Sequence, residues 1–285
     1  MKAQATCFGA GTIVNAIATG QGAAFGLALR ANATVESRPE EFGVNVHVPP
    51  GVDPALAMAA SRRVLGRRGT KAGLEVSIDS EIPISRGLKS SSAVANAVIL
   101  AGATALGLKI DPMDVVKMSV DAAFDAGVTI TGAFDDACAS LLGGICVTDN
   151  RDRRLLALDR FPDDLVGVVQ IPPRMTPKAS LKGIDFASIR SQVEAAFQVV
   201  LRGDYFRALE ANSAAYAPIL GIDEAPARRA REAGAIAAGI TGTGPAILAL
   251  AKPTHADAVR RSMEDGESDI RVVALDTMES REVML

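Results

Sequence analysis

The 285-residue chain has no tryptophan, two tyrosines and two histidines, and aromatic residues make up 4% of it. Base stacking on single-stranded nucleic acid needs aromatic side chains, and backbone tracking needs a basic excess. The net charge is −3, so nucleic acid is not an expected partner. His47 and His255 are far apart, which argues against a histidine metal cluster and against a Ser-His-Asp triad. The three cysteines, Cys7, Cys138 and Cys146, are odd in number and lack zinc-ligand spacing. They read as small buried hydrophobes in a reducing compartment. The apolar run from Ala93 to Leu108 is shorter than the roughly 20 residues a bilayer requires, and it contains Asn96. The opening "MKAQATCFGAGT" has no secretory pattern. A cytoplasmic protein with no membrane partner is expected, as a monomer or a homodimer.

What the chain has in quantity is core material. Hydrophobic residues make up 48%, and there are 26 glycines. Disorder is excluded by that apolar share. The length suits two domains of about 150 residues each.

Strand alternation marks Val44–Val48 and Leu74–Ile78. Between them "DPALAMAASRRVLGRR" reads as a helix with Asp53 at its N-cap and Pro54 at its first position. Ser91–Leu106 and Asp111–Gly127 read as further helices, and Gly143–Asn150 as a strand and turn. The charged stretch around Arg151 suggests a domain boundary, giving 1–152 and 153–285. Leu165–Ile171 is an apolar strand closed by Pro172-Pro173. Helices near Ile189–Arg202, Tyr205–Ala217 and Ala225–Ala233 follow. After them come a strand at Ile247–Ala251, a helix at Thr254–Glu264 and a strand at Ile270–Leu275. The class is α+β, with helices on largely antiparallel sheets.

Three stretches carry chemistry. In "PISRGLKSSSAVA", Pro83 to Ala95, three serines stand between a glycine and a long apolar helix. A helix N-terminus offers unsatisfied N–H groups and positive potential. Gly87 permits a tight turn, the hydroxyls can cap or bind an anion, and Lys89 adds charge. The Walker A spacing is absent. A plain capped helix remains an equal reading of this segment alone. In "GVTITGAFDDACASLLGG", Gly127 to Gly144, Asp135 and Asp136 sit among small and apolar residues. Aspartates are seldom placed so unless paired or functional. One of them can act as a general base, or both can simply open a helix. In "GITGTGPAILAL", Gly239 to Leu250, Gly242, Thr243 and Gly244 make a turn into a strand, suited to lying against a ligand.

In this order the three stretches resemble the GHMP kinase superfamily: its phosphate loop, its catalytic-aspartate segment and its C-terminal glycine loop. "GAGTIVNAIATGQGAAFGLAL", Gly9 to Leu29, takes the place of its first motif. Within the superfamily the opening, "GLKSSSA" and "GAFDDACAS" are most similar to the archaeal shikimate kinase family. The resemblance implies an N-terminal domain like ribosomal protein S5 domain 2 and a C-terminal ferredoxin-like domain. It implies ATP as phosphoryl donor, magnesium as cofactor and shikimate as acceptor. A homoserine or other small-alcohol kinase, and a non-catalytic sensor on the same fold, are the alternatives. Homoserine kinases generally lack the base, so the retained Asp135 favours the first reading.

Carried over residue by residue, the resemblance implies nucleotide contacts from Pro83, Ile84, Ser85, Arg86, Gly87, Leu88, Lys89, Ser90, Ser91, Ser92 and Ala93. Gly242, Thr243 and Gly244 form the facing loop. Ser91 is implied as a magnesium ligand and Asp135 as the base. The family's metal-binding glutamate has no match here. Asp121 or Asp125 is the nearest acid, and Asp121 is the assigned candidate. For the acceptor, Asn15, Thr19, Asp136, Arg174 and Lys178 are candidates, with Arg86 a further cation. Two departures stand out. Lys89 occupies a position where relatives keep glycine, and Thr12 one where they keep a basic residue.

Overall fold

The computed structural model describes residues 1–68, 72–162, 164–275 and 283–284. It opens on a long hairpin, β1 (Lys2–Val14) paired antiparallel with β2 (Gln21–Arg38). The alternation of a half-exposed strand is missing here because the inner part of the hairpin is buried on both faces. Its alanines and glycines let layers approach closely. A Cβ at Gly11 would lie 2.5 Å from a Leu248 methyl and 2.7 Å from the Phe25 ring.

The rest of the first sheet is built on β2. β3 (Gly43–His47), α1 (Ala55–Arg68) and β4 (Gly73–Ser80) form a parallel unit, and β4 pairs with β2. α1 starts as its sequence announced, with Asp53 Oδ1 accepting the Ala55 N–H. α2 (Ser90–Ala105), α3 (Pro112–Asp125) and α4 (Phe134–Leu142) follow, and α2 and α4 pack on the hairpin. β5 (Ile145–Asp149) joins the other part of β2, and β6 (Arg154–Asp159) pairs with β5. The boundary expected after residue 152 therefore falls in a turn within one sheet. The charged run there is a solvated hairpin turn, and the chain leaves this sheet only after Asp159.

The second sheet has the order β10-β7-β9-β8, entirely antiparallel. Its strands are β7 (Val166–Ile171), β8 (Ala237–Ile240), β9 (Ile247–Ala251) and β10 (Asp269–Ala274). Helices α5 (Arg190–Val200), α6 (Tyr205–Leu220), α7 (Ala225–Glu232) and α8 (Pro253–Ser262) cover it and the hairpin. The chain then returns to the first sheet, where β11 (Val283–Met284) pairs with β1. The expected α+β class with two sheets is what the chain adopts. Among the described residues no helix is long and apolar enough to cross a membrane.

One buried amide ties three helices together. Asn96, on the inner face of α2, donates to the Ala137 carbonyl of α4 at 3.0 Å and accepts from the Ser119 hydroxyl of α3. It thereby fixes α4 relative to the start of α2. Replacing it leaves the buried Ser119 hydroxyl without its partner, at a cost of about 1–3 kcal/mol. Asn96→Ala should accordingly lower the unfolding free energy by that amount, read as a lower urea midpoint with an unchanged slope.

Candidate active site

The serines do not cap α2. Its N-cap is Lys89, in the left-handed conformation at φ 64°, and no side chain bonds to the helix start. Ser90, Ser91 and Ser92 form the first turn instead and line a cavity of about 500 Å³. This first turn has its amides and positive dipole end facing space that an anion can fill. The far wall is apolar, from Val48, Pro49, Val52, Leu56, Ile78 and Ile82. The cavity thus offers an anion cradle at one end and an apolar slot at the other.

The glycine loop of the second sheet closes on the phosphate loop. Gly87, at φ +83°, lies so near Thr241 that a Cβ would sit 2.1 Å from its carbonyl oxygen. The Thr241 hydroxyl donates to the Gly87 carbonyl at 2.9 Å, and the Ala246 N–H donates to the Arg86 carbonyl. The Arg86 guanidinium donates to the carbonyls of Ile84, Pro172 and Pro173. Arg86 is therefore a strut between the two sheets' loops. Three of its donors are committed to backbone, and it lines neither cavity, so the structure does not bring it to the acceptor.

A crevice of about 30 Å³ adjoins the cavity and is lined by Asn15, Ile17, Thr131, Asp135 and Thr243 among others. Lys89, Asp136, Gly242 and Thr243 line both. Asp135 and Asp136 lie in the first turn of α4, after Gly132 and Ala133, which both take positive φ. Asp135 is 4% exposed. Its Oδ1 accepts from Asn150 Nδ2 at 2.8 Å, and its own N–H donates to Asn150 Oδ1 at 3.2 Å. The Thr148 hydroxyl also donates to Asn150 Oδ1, at 2.7 Å, and so fixes the amide's orientation. Burial, and next the neighbouring Asp136 charge, push the Asp135 carboxyl up to about 7, against the opposing pull of Lys89 and Asn150. A carboxylate near neutrality is suited to taking a proton from a hydroxyl.

Asp136 is paired with a cation. The Lys89 ammonium lies 2.9 Å from its Oδ1, with both side chains largely buried. The contact is ionic rather than an aligned hydrogen bond, and no hydrogen-bond partner of that oxygen is found among the described residues.

The remaining sequence candidates separate. Asn15 is buried in the crevice wall, where its Nδ2 donates to the Gly242 carbonyl at 2.9 Å. Thr19 does not line either cavity, and its hydroxyl closes a local turn with Gln21. Asp121 is also outside both linings. Its carboxylate pairs with Arg153 at 2.8 Å and Arg63 at 3.6 Å, so the ion pairs between α1, α3 and the β5–β6 turn account for it. Asp125 likewise pairs with Arg63. Gly244 precedes a cis proline and shapes the turn rather than lining the space. Arg174 is exposed beyond β7 and lines neither cavity, although Thr176 and Pro177 line the larger one. The Lys178 side chain lies outside the described residues.

Residues that sequence reasoning missed hold the site together. Asn150 ends an apolar strand, where asparagine ordinarily reads as a turn residue. The Tyr216 hydroxyl on α6 donates to the Asn15 carbonyl and accepts from the Ala18 N–H, while Asn212 Oδ1 accepts from the Asn15 N–H. These bonds span the two halves of the chain, and no local pattern announces them.

The fold, the uncapped helix start and the buried aspartate together define a phosphotransferase of one class. Residues 55–144 match the model for the GHMP kinases N terminal domain, and residues 220–268 that for GHMP kinases C terminal. The chain belongs to the GHMP kinase family. Shikimate kinase from Methanocella arvoryzae is 40% identical, across 91% of this chain and 88% of its own. Those from Methanococcoides burtonii and Pyrococcus furiosus are 42% and 41% identical, across 92% and 89% of this chain and 91% and 93% of their own. Among solved structures, homoserine kinase from Cytophaga hutchinsonii superposes with a TM-score of 0.80 at 17% identity, covering 99% and 97% of the two chains. Mevalonate kinase from Methanococcus jannaschii gives 0.75 at 14%, covering 96% and 98%. At such identities these two likenesses speak for the fold alone.

Close packing around Asp135 gives a direct test. A Cβ at Gly22 would lie 2.5 Å from Asp135 Oδ2. Gly22→Ala should push the carboxylate aside, lowering kcat by at least about tenfold, since small misplacements of a reacting group are costly. Circular dichroism of the variant should match the parent.

Proposed function

We propose that this chain is a shikimate kinase, transferring the γ-phosphoryl group of ATP to the 3-hydroxyl of shikimate. The observation that carries the site reading is the buried Asp135 carboxylate, set in a crevice that opens beside the uncapped start of α2. The substrate reading is supported by relatives of that name at about 40% identity over most of their length.

In this reading the nucleotide base lies in the apolar slot and the phosphates on the first turn of α2. Pro83 to Ser85 and Gly87 to Ser92, with Gly242 and Thr243, form the walls, and Arg86 braces them from behind. The reacting hydroxyl of the acceptor reaches the crevice beside Asn15 and Asp135, which is too small for the rest of the molecule. The hydroxyl oxygen bonds to the γ-phosphorus, the bond from that phosphorus to the bridging oxygen of ADP breaks, and the hydroxyl proton passes to Asp135. Asn150 holds the carboxylate toward the crevice while it takes the proton. Catalysis is then chiefly positioning and charge stabilisation, as phosphoryl transfer generally requires.

A magnesium ion would neutralise phosphate charge. Among the described residues no group of three or more histidine, cysteine or acidic side chains could hold a metal by itself. That fits an ion carried in on the nucleotide, which keeps its waters and takes few protein ligands. Ser91, an oxygen donor on the cavity wall, is the residue that would hold it. The odd set of three buried cysteines suits a cytoplasmic setting.

The protein should release ADP from ATP when shikimate is added, and much less with homoserine or mevalonate. Absence of shikimate-dependent ADP would refute the substrate assignment. Asp135→Asn should lower kcat by about 100-fold or more. It should also raise the melting temperature at pH 8. The buried carboxylate's penalty begins as pH rises past the unfolded value of 3.8 and is complete above about 7, and the amide removes it.

A further inference from the structure

Lys89 is held in place at the expense of the backbone. A non-glycine residue at φ 64° and ψ 32° is left-handed, which costs a side-chain-bearing residue roughly 1–2 kcal/mol. Glycine would relieve that strain, so the side chain is retained for what it does. The side chain is 8% exposed, and its ammonium is directed away from solvent toward Asp136 Oδ1, at 2.9 Å. The ammonium also lies 3.0 Å from where a Cβ on Gly242 would be, so it bridges the phosphate loop and the facing glycine loop. Among the described residues it is the one cation lining either the large cavity or the crevice. Neither Arg86 nor Arg174 reaches that space. Helix amides at α2 supply partial positive charge at the cavity end. On the side toward Asp135 the positive charge comes from Lys89.

We propose that Lys89 is a catalytic residue whose ammonium, anchored by Asp136, binds the terminal phosphate of ATP and stabilises the charge on the transferring phosphoryl group. The inference rests on the kinase reading above for its chemistry. Placed between the helix start and the base, the ammonium contacts the group that moves rather than the phosphates that stay. Asp136 is a positioning residue in this account. It holds the long lysine stem in one orientation, and its otherwise undonated Oδ1 is the counter-charge that makes burial of an ammonium tolerable.

The test measures dissociation constants for ATP and for ADP, with magnesium and without acceptor, and separately kcat and KM with shikimate. Lys89→Met should weaken ATP by about tenfold or more while leaving ADP within about threefold, the size expected for loss of one charge-assisted contact. Its kcat should fall by about 100-fold. Because that variant strands the Asp136 charge, Lys89→Met/Asp136→Asn is measured beside it and should show the same loss of ATP preference. A purely structural lysine would weaken ATP and ADP equally, and that result overturns the proposal. So does an unchanged ratio with a raised KM for shikimate, which would mean that the ammonium binds the acceptor. The nucleotide ratio needs no acceptor. If the wild-type protein fails to phosphorylate shikimate, the substrate assignment falls while the ratio still decides the role of Lys89.

Discussion

The structure depends on keeping one carboxylate out of water. Asp135 is buried beside a second aspartate, an arrangement that favours its neutral form and works against folding at neutral pH. Four neighbouring features make that placement tolerable and directed. Asn150 gives it one hydrogen bond and takes another from its backbone. The α4 dipole favours negative charge at the helix start. Lys89 offsets the Asp136 charge. Gly22 leaves just the room that the second oxygen needs.

Small residues serve the same end from the other side. The phosphate loop and the glycine loop of the second sheet meet at Gly87 and Gly242, where side chains would collide with backbone. Arg86 then ties the phosphate loop to the end of β7, and Asn15, Asn212 and Tyr216 tie the first motif to α6. The anion cradle belongs to the first sheet's layer and the wall facing it to the second. The site exists because these polar links fix the two against each other.

Much of this was legible beforehand. The helices of the chain announced themselves by capping: Asp53-Pro54 before α1 and Asp111-Pro112 before α3 are local signals that act locally, and both appear at the helix starts. The order of the three glycine-bearing motifs identified the family and pointed to Asp135 as the candidate base. The opening hairpin was hidden, because strands buried on both faces lose their alternation when built of alanine and glycine. Asn150 and Tyr216 were hidden for a different reason, since each acts on a residue far away in sequence. An acid such as Asp121 carries no sign in the sequence of its partners, which here are arginines. The serines misled in part: they read as possible caps, yet the cap position belongs to Lys89.

We assign the hydroxyl proton to the Asp135 carboxylate, whose proton affinity is raised to about 7. The pH dependence of kcat/KM for shikimate reads that group in the free protein. The rate should climb tenfold per pH unit below about 7 and level above it. The Asp135→Asn variant should lose this limb. A profile that stays flat from pH 5.5 to 8 in the wild-type protein, or a limb that persists in the variant, would contradict the assignment.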